Sequence, residues 1–352
     1  MTQVLSSDQV IAPVAARAGN KYVAGLALLR GIAALSVGIY HFTGAVLPKL
    51  HVDVVGAIFS RGYLGVEVFF VISGFVIPYS LLGKGYTPKR FFTYIFKRIV
   101  RINPPAYLAM FLVLGLWYLR DYYVAHQVKY TAELSIGQIV NNLLFTVPFT
   151  NYKWVIGIFW TLAIEFQFYI FIGLTFNHLF KNNRIFFFVG AFLLLALLQY
   201  YIKEYEILKS DENFFRFGSL FAMGGLVLFR KQQWISTFLY LTLLLLFAGI
   251  CYYQIGFYFA MVGVATSLAI EYVSIENAAT QFLGKISYSF YLVHALVGNI
   301  CEIIFIKFIP IGPVINRVLL QAACLAMAIV GAYLFYLLVE RPFMKLASRL
   351  RT

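Results

Sequence analysis

Two ionisable side chains stand in an otherwise apolar stretch, Leu29-Arg30-Gly31-Ile32-Ala33-Ala34-Leu35-Ser36-Val37-Gly38-Ile39-Tyr40-His41-Phe42. At roughly 100° per residue, the eleven helical steps from Arg30 to His41 bring both side chains to one face within about 20°. At the helical rise they lie roughly 16 Å apart along that face. An ionisable group inside a bilayer costs about 3 kcal/mol on the mildest scales, so such groups point to function by default. A charge and a titratable base on one face call for a common occupant.

Four further stretches carry polar chemistry. In Gly62-Tyr63-Leu64-Gly65-Val66-Glu67-Val68-Phe69-Phe70-Val71-Ile72-Ser73-Gly74-Phe75, Glu67 enters an apolar run and Ser73-Gly74 falls near its middle. A Ser-Gly pair equally suits close helix packing. Arg98 and Arg101 share a helical face just before Asn103-Pro104-Pro105. They read either as a positive-inside stop with prolines opening the next span, or as an anion clamp, since paired guanidiniums grip phosphate in fork geometry. Glu165, in Trp160-Thr161-Leu162-Ala163-Ile164-Glu165-Phe166-Gln167-Phe168-Tyr169, must be paired or protonated among its aromatic neighbours. Finally, Ser287-Tyr288-Ser289-Phe290-Tyr291-Leu292-Val293-His294 forms a polar stripe that should face the protein interior, and His294 there also suits a satisfied core histidine. Glu340-Arg341-Pro342 reads as an ion-paired helix stop. His51, His126 and His178 read as solvated, no spacing suggests a metal site, and no nucleophile elbow occurs.

The elements that position these residues follow from composition. Hydrophobic residues make up 62% of the 352 and charged ones 12%, with a mean hydropathy of +0.82. That balance specifies an all-α polytopic membrane protein rather than a soluble one. About ten transmembrane helices around a central cavity are expected, at 22–47, 63–82, 104–119, 155–178, 185–201, 214–229, 235–253, 256–273, 286–306 and 318–338. The first is too long for a cleavable leader and is interrupted by Arg30. The net charge of +14 falls between apolar runs, so it reports topology and not nucleic-acid binding. Loops on the side of the termini hold seventeen Lys and Arg residues and the opposite loops ten, which places both termini in the cytoplasm. Residues 1–20 read as a disordered cytoplasmic tail, 21–343 as the membrane domain and 344–352 as a basic cytoplasmic tail. Segment 120–153 suits a short helix lying on the membrane.

Taken in order, these stretches resemble the acyltransferase-3 family of bacterial membrane-bound O-acyltransferases across about residues 22–343. The resemblance rests on Arg30 with His41, Gly65-Val66-Glu67 through Ser73-Gly74-Phe75, Arg98/Arg101 before the prolines, Trp160 with Glu165, Ser287-Tyr288 with His294, and Glu340-Arg341-Pro342. Ala27 stands where members often carry Asp, and Thr161 where Ser is common. The resemblance implies transfer of an acyl group, most often acetyl, from cytoplasmic acyl-CoA to a hydroxyl of a cell-surface or lipid-linked carbohydrate, in the bacterial inner membrane. Acyl-CoA is then a co-substrate, with no tightly bound cofactor. Arg30, Arg98 and Arg101 would hold its phosphates. His41 would act as general base or form an acyl-histidine, with Glu165 orienting its imidazole. Ser73, Ser287, Tyr288, His294 and Glu67 would contact the oxyanion or the acceptor. The alternative is a transporter or flippase of a lipid-linked sugar.

Overall fold

The computed structural model describes residues 25–45, 52–124, 126, 128–205, 208 and 211–350. The proposed N-terminal tail and His51 lie outside that set. Among the described residues all regular structure is helical. That is what long apolar runs demand, since a backbone without water must satisfy its hydrogen bonds within the segment.

Helices occupy all ten expected spans. They are α1 (Leu26–Tyr40) after the left-handed Gly25, then α3 (Gly65–Leu82) after the short α2 (Asp53–Phe59), and α4 (Phe91–Leu119). After the short α5 (Ile136–Leu143) come α6 (Phe159–Leu179), α7 (Ile185–Glu204), α8 (Phe214–Lys231), α9 (Thr237–Ile255), α10 (Phe257–Tyr272), α11 (Ala278–Phe305) and α12 (Val314–Phe335). Eight of these segments are long and apolar enough to cross a membrane. The other two are α10, at 16 residues, and α8, whose hydropathy is lowered by Arg216, Arg230 and Lys231. α8 is the buried axis of the bundle, packed by α3, α7, α9 and α10, whereas α9 turns Phe238 and Leu245 outwards at 81% and 69% exposure. α3 and α8 cross at Gly74 and Gly224. A Cβ on either glycine would lie 2.2 Å or 2.0 Å from a carbonyl oxygen of the other helix, so only glycine permits the approach.

One local feature differs from the sequence reading and two add to it. Pro104 and Pro105 lie inside α4 rather than opening it, because the helix already runs from Phe91. Their missing N–H groups leave the carbonyls of Val100 and Arg101 without the usual donors, a defect that membrane helices tolerate where neighbours supply polar partners. The Tyr288 hydroxyl donates to the nearby Ile102 carbonyl at 2.8 Å. The expected basic tail is helical through Arg349: α12 continues through a π-helical turn, Tyr336–Glu340, into α13 (Arg341–Arg349), which buries Ala347 and packs against α4. In segment 120–153, α5 inverts the usual pattern. Its polar Gln138 and Asn142 are buried, both donating to the Lys153 carbonyl at 3.1 Å, while Ile136 and Leu144 face outwards.

Candidate active site

α1 and α11 pack closely because each presents a small residue to a ring of the other. Phe290 lies over Gly38, where a Cβ would come within 2.6 Å of its ring, and Phe42 lies over Gly298, where the corresponding distance is 2.3 Å. This reciprocal fit brings together two histidines 253 residues apart: His41 Nδ1 lies 2.7 Å from His294 Nε2, with the rings stacked at 17°. His41 opens the π-helical turn His41–Ala45 that ends α1, and such turns widen a helix locally and often mark functional positions. His294 is wholly buried. Its Nδ1–H donates to the carbonyls of Phe290 at 3.0 Å and Tyr291 at 2.9 Å, the only orientation in which that nitrogen suits two acceptors.

A cavity of about 150 Å³ lies beside Tyr291. Arg30, Arg98, Arg101 and Glu340 line it, with Ser73 and Glu165 opposite Ser287 and Tyr288, and Phe69, Thr161 and Tyr291 close by. A second cavity shares Arg98 and Arg101 with the first and adds Lys84, Arg90 and Lys97, with no carboxylate in its lining. α13 contributes Met344, Ala347 and Ser348 to that antechamber, and Lys97 Nζ donates to the Leu350 carbonyl at 2.7 Å. Arg98 is held by Ser80 at 3.3 Å and by the faces of Tyr94 and Tyr169 at 5.5 and 5.2 Å. An arginine so fixed presents its remaining donors to an anion without first losing side-chain freedom.

The structure rearranges several expected pairings. Glu165 does not meet His41; it accepts a hydrogen bond from Ser73 Oγ at 2.9 Å, and His294 occupies the place beside the imidazole. Depth along two helices is readable from sequence, but which helices are lateral neighbours is not. Ser287 and Tyr288 line the cavity with their hydroxyls engaged, by the Gly284 carbonyl at 2.8 Å and by Ile102. Glu67 is 2% exposed and lies away from the cavity lining, because it faces the packed interior between α3 and its neighbours. Glu340 is no ion-paired helix stop. It turns inwards to accept from the Ser289 N–H at 3.2 Å and hydroxyl at 2.6 Å, and lines the same cavity as Arg30 and Arg101. Ala27 lies against Gly284, where only glycine permits the approach, and Glu340 supplies a carboxylate to the cavity that Arg30 lines.

Two features went unread. Lys84, Arg90 and Lys97, basic residues of the loop and helix start before Arg98, gather with it around one cavity. Tyr291 has a double position: it lines the cavity, and its ring centre lies 6.2 Å from that of His294. Its hydroxyl shares a 3.1 Å hydrogen bond with Thr161 Oγ1, and its ring meets Phe69 at 6.0 Å. These three side chains line the cavity, and neither His41 nor His294 does. Of the other histidines, His126 and His178 are exposed.

Comparison with known proteins decides what this architecture is. A family described as an acyltransferase domain matches residues 23–337, nearly the whole chain. The chain belongs to that acyltransferase family. A Staphylococcus aureus strain COL protein named as a candidate O-acetyltransferase is 27% identical over 381 residues, covering 92% of this chain and 58% of its own length. A Bacillus subtilis strain 168 protein, YrhL, named as a candidate peptidoglycan O-acetyltransferase, is 33% identical over 162 residues, 43% of this chain and 23% of its own. The O-acetyltransferase OatA of S. aureus strain NCTC 8325 is 26% identical over 196 residues, 47% of this chain and 27% of its own. The chain thus spans less than two thirds of the length of each of these relatives. No solved structure matches it.

Proposed function

We propose that this protein transfers an acyl group, acetyl by preference, from acyl-CoA to a hydroxyl of a cell-envelope carbohydrate. The observation that carries the reading is the shared wall of Arg98 and Arg101, which joins a cavity whose charged lining is all cationic to one lined by Tyr291, the neighbour of His294. The phosphates of the donor sit among Lys84, Arg90, Lys97, Arg98 and Arg101, which face the cytoplasm by the distribution of basic residues. The thin pantetheine arm extends past Arg30, Glu165 and Ser73, whose polar atoms suit its amides. Its thioester arrives at Tyr291, which swings aside to admit it to His41.

There His41 takes the proton of the acceptor hydroxyl as its oxygen attacks the thioester carbonyl. The carbon–sulfur bond breaks, and the departing thiolate recovers the proton. The names of the relatives favour a peptidoglycan-like glycan as acceptor, presented on the far side of the membrane.

The test uses the full chain in lipid nanodiscs with radiolabelled acetyl-CoA and glycan fragments released from cells lacking the protein. Label should reach the glycan in base-labile ester linkage and vanish with His41→Ala. Movement of a lipid-linked glycan across the bilayer without any acyl donor, and no labelled ester, would overturn the reading in favour of a transporter.

A further inference from the structure

Histidines that serve only to quiet helix carbonyls need one ring nitrogen; His294 uses both. We propose that His294 is a positioning residue that fixes the proton of His41 on Nδ1 and so leaves Nε2 as the free, basic nitrogen. The inference rests on the acyl-transfer reading above and adds the element that makes His41 competent for it.

The argument is one of donors and acceptors. Carbonyl oxygens only accept, and His294 Nδ1 faces two of them, at 3.0 and 2.9 Å. That nitrogen must carry hydrogen. In a neutral imidazole the other nitrogen is then a bare lone pair, so His294 Nε2 accepts and His41 Nδ1–H donates across the 2.7 Å contact. His41 Nε2 is left unprotonated by elimination. The reverse assignment sets a lone pair against two carbonyl oxygens, and a flipped His294 ring would put carbon against them and against His41.

The ring has no freedom to choose otherwise. It is wholly buried, stacked on Phe290 with centres 5.5 Å apart and 11° between planes, and edge-on to Phe42 at 6.2 Å. Phe290 and Phe42 are themselves seated on Gly38 and Gly298. Among the described residues no carboxylate or cation forms an ion pair with either imidazole, and the nearest other titratable rings are Tyr40 on α1, at 5.5 Å from His41, and Tyr291 on α11. The neutral partner thus does by hydrogen-bond direction what a carboxylate does elsewhere by charge.

The test compares His294→Ala with His294→Gln in the nanodisc transfer assay, together with nitrogen-15 spectroscopy of the histidine tautomers in the wild-type protein. Glutamine presents an amide oxygen close to where Nε2 stood, so it keeps the acceptor without the ring. His294→Ala should lower kcat by roughly 100-fold with the KM for acetyl-CoA unchanged, and His294→Gln should recover at least about 10-fold of that loss. The spectra should show His41 protonated on Nδ1. A His294→Gln enzyme no faster than His294→Ala, or a wild-type His41 protonated on Nε2, would overturn the inference, and the spectra decide it even where the alanine variant does not fold. Undiminished transfer by His41→Ala would instead overturn the acyl-transfer chemistry, whereas a His41-dependent enzyme untouched by His294→Ala would remove this inference alone.

Discussion

Gly38→Ala probes the geometry without touching a reacting group. The added Cβ would lie 2.6 Å from Cε1 and Cζ of Phe290, where ordinary contact begins at 3.4 Å, so the ring must retreat by about 0.8 Å, the difference between the two. Phe290 is 1% exposed and stacked on His294, so it has little room to move alone. If the shift is passed on in full, the 2.7 Å contact between the histidines lengthens to about 3.5 Å, the limit of a hydrogen bond. Overpacking costs about 1–3 kcal/mol, and the better helix propensity of alanine returns about 1 kcal/mol. The variant should therefore fold, with only a modest fall in thermal midpoint, yet lose roughly 100-fold in transfer, the usual penalty for a misplacement near 1 Å. Gly249→Ala, on α9 with open space around its Cβ, is the control and should leave both measurements unchanged or raise stability slightly. Assay of labelled ester formation alongside thermal unfolding in nanodiscs reads both quantities. Wild-type transfer by a folded Gly38→Ala enzyme would refute the claim that the α1–α11 fit sets the histidine geometry.

Other outcomes follow from the same coordinates. Arg98→Ala and Arg101→Ala should each raise the KM for acetyl-CoA at least about 10-fold with little change in kcat, as expected for losing charge-assisted bonds to phosphate, and an unchanged KM would remove the antechamber from donor binding. Gly224→Ala sets a Cβ 2.0 Å from the Val71 carbonyl oxygen, and it should cost about 3 kcal/mol, seen as a large fall in thermal midpoint that Gly190→Ala, in open space, does not show. Thr161→Val removes the bond that holds Tyr291 in the cavity lining, worth about 1 kcal/mol. Acetyl-CoA breakdown without acceptor should therefore rise about 5-fold; an unchanged rate would deny Tyr291 a gating role.

What the sequence discloses about this site is longitudinal. Helical periodicity places Arg30 and His41 on one face; in the structure Arg30 lines the cavity, whereas His41, in the turn that ends α1, meets His294 outside its lining. Ser73-Gly74 supports both of its readings at once, because adjacent residues on a helix point about 100° apart: Ser73 meets Glu165 while Gly74 admits α8. Lateral adjacency is hidden. Nothing in the spacing of Glu165 distinguishes an approach to His41 from an approach to Ser73, since both lie at similar depth on different helices. Glu340 was hidden for a related reason. Glu340 closes a π-helical turn and its carboxylate accepts from Ser289, and an extra residue in a turn leaves no compositional trace.

The distribution of charge bears on the choice between transferase and transporter. The two cavities together are lined by six cations, Arg30, Lys84, Arg90, Lys97, Arg98 and Arg101, and by two carboxylates, Glu165 and Glu340. An excess of about four positive charges in partly enclosed space is unfavourable unless an anion of similar charge enters it. A nucleotide thioester with one phosphate monoester and one diphosphate carries about that charge, at up to two for the monoester. Three of the cations line only the second cavity and no cation pairs with either histidine among the described residues, so on the proposed reading the charged part of such a ligand would be held while its neutral thioester reached inward. A carrier that shuttled one sugar phosphate from side to side would need its counter-charges available at both openings. The cation-rich cavity and the one that Tyr291 lines share Arg98 and Arg101, an arrangement that suits a donor entering and leaving by one route.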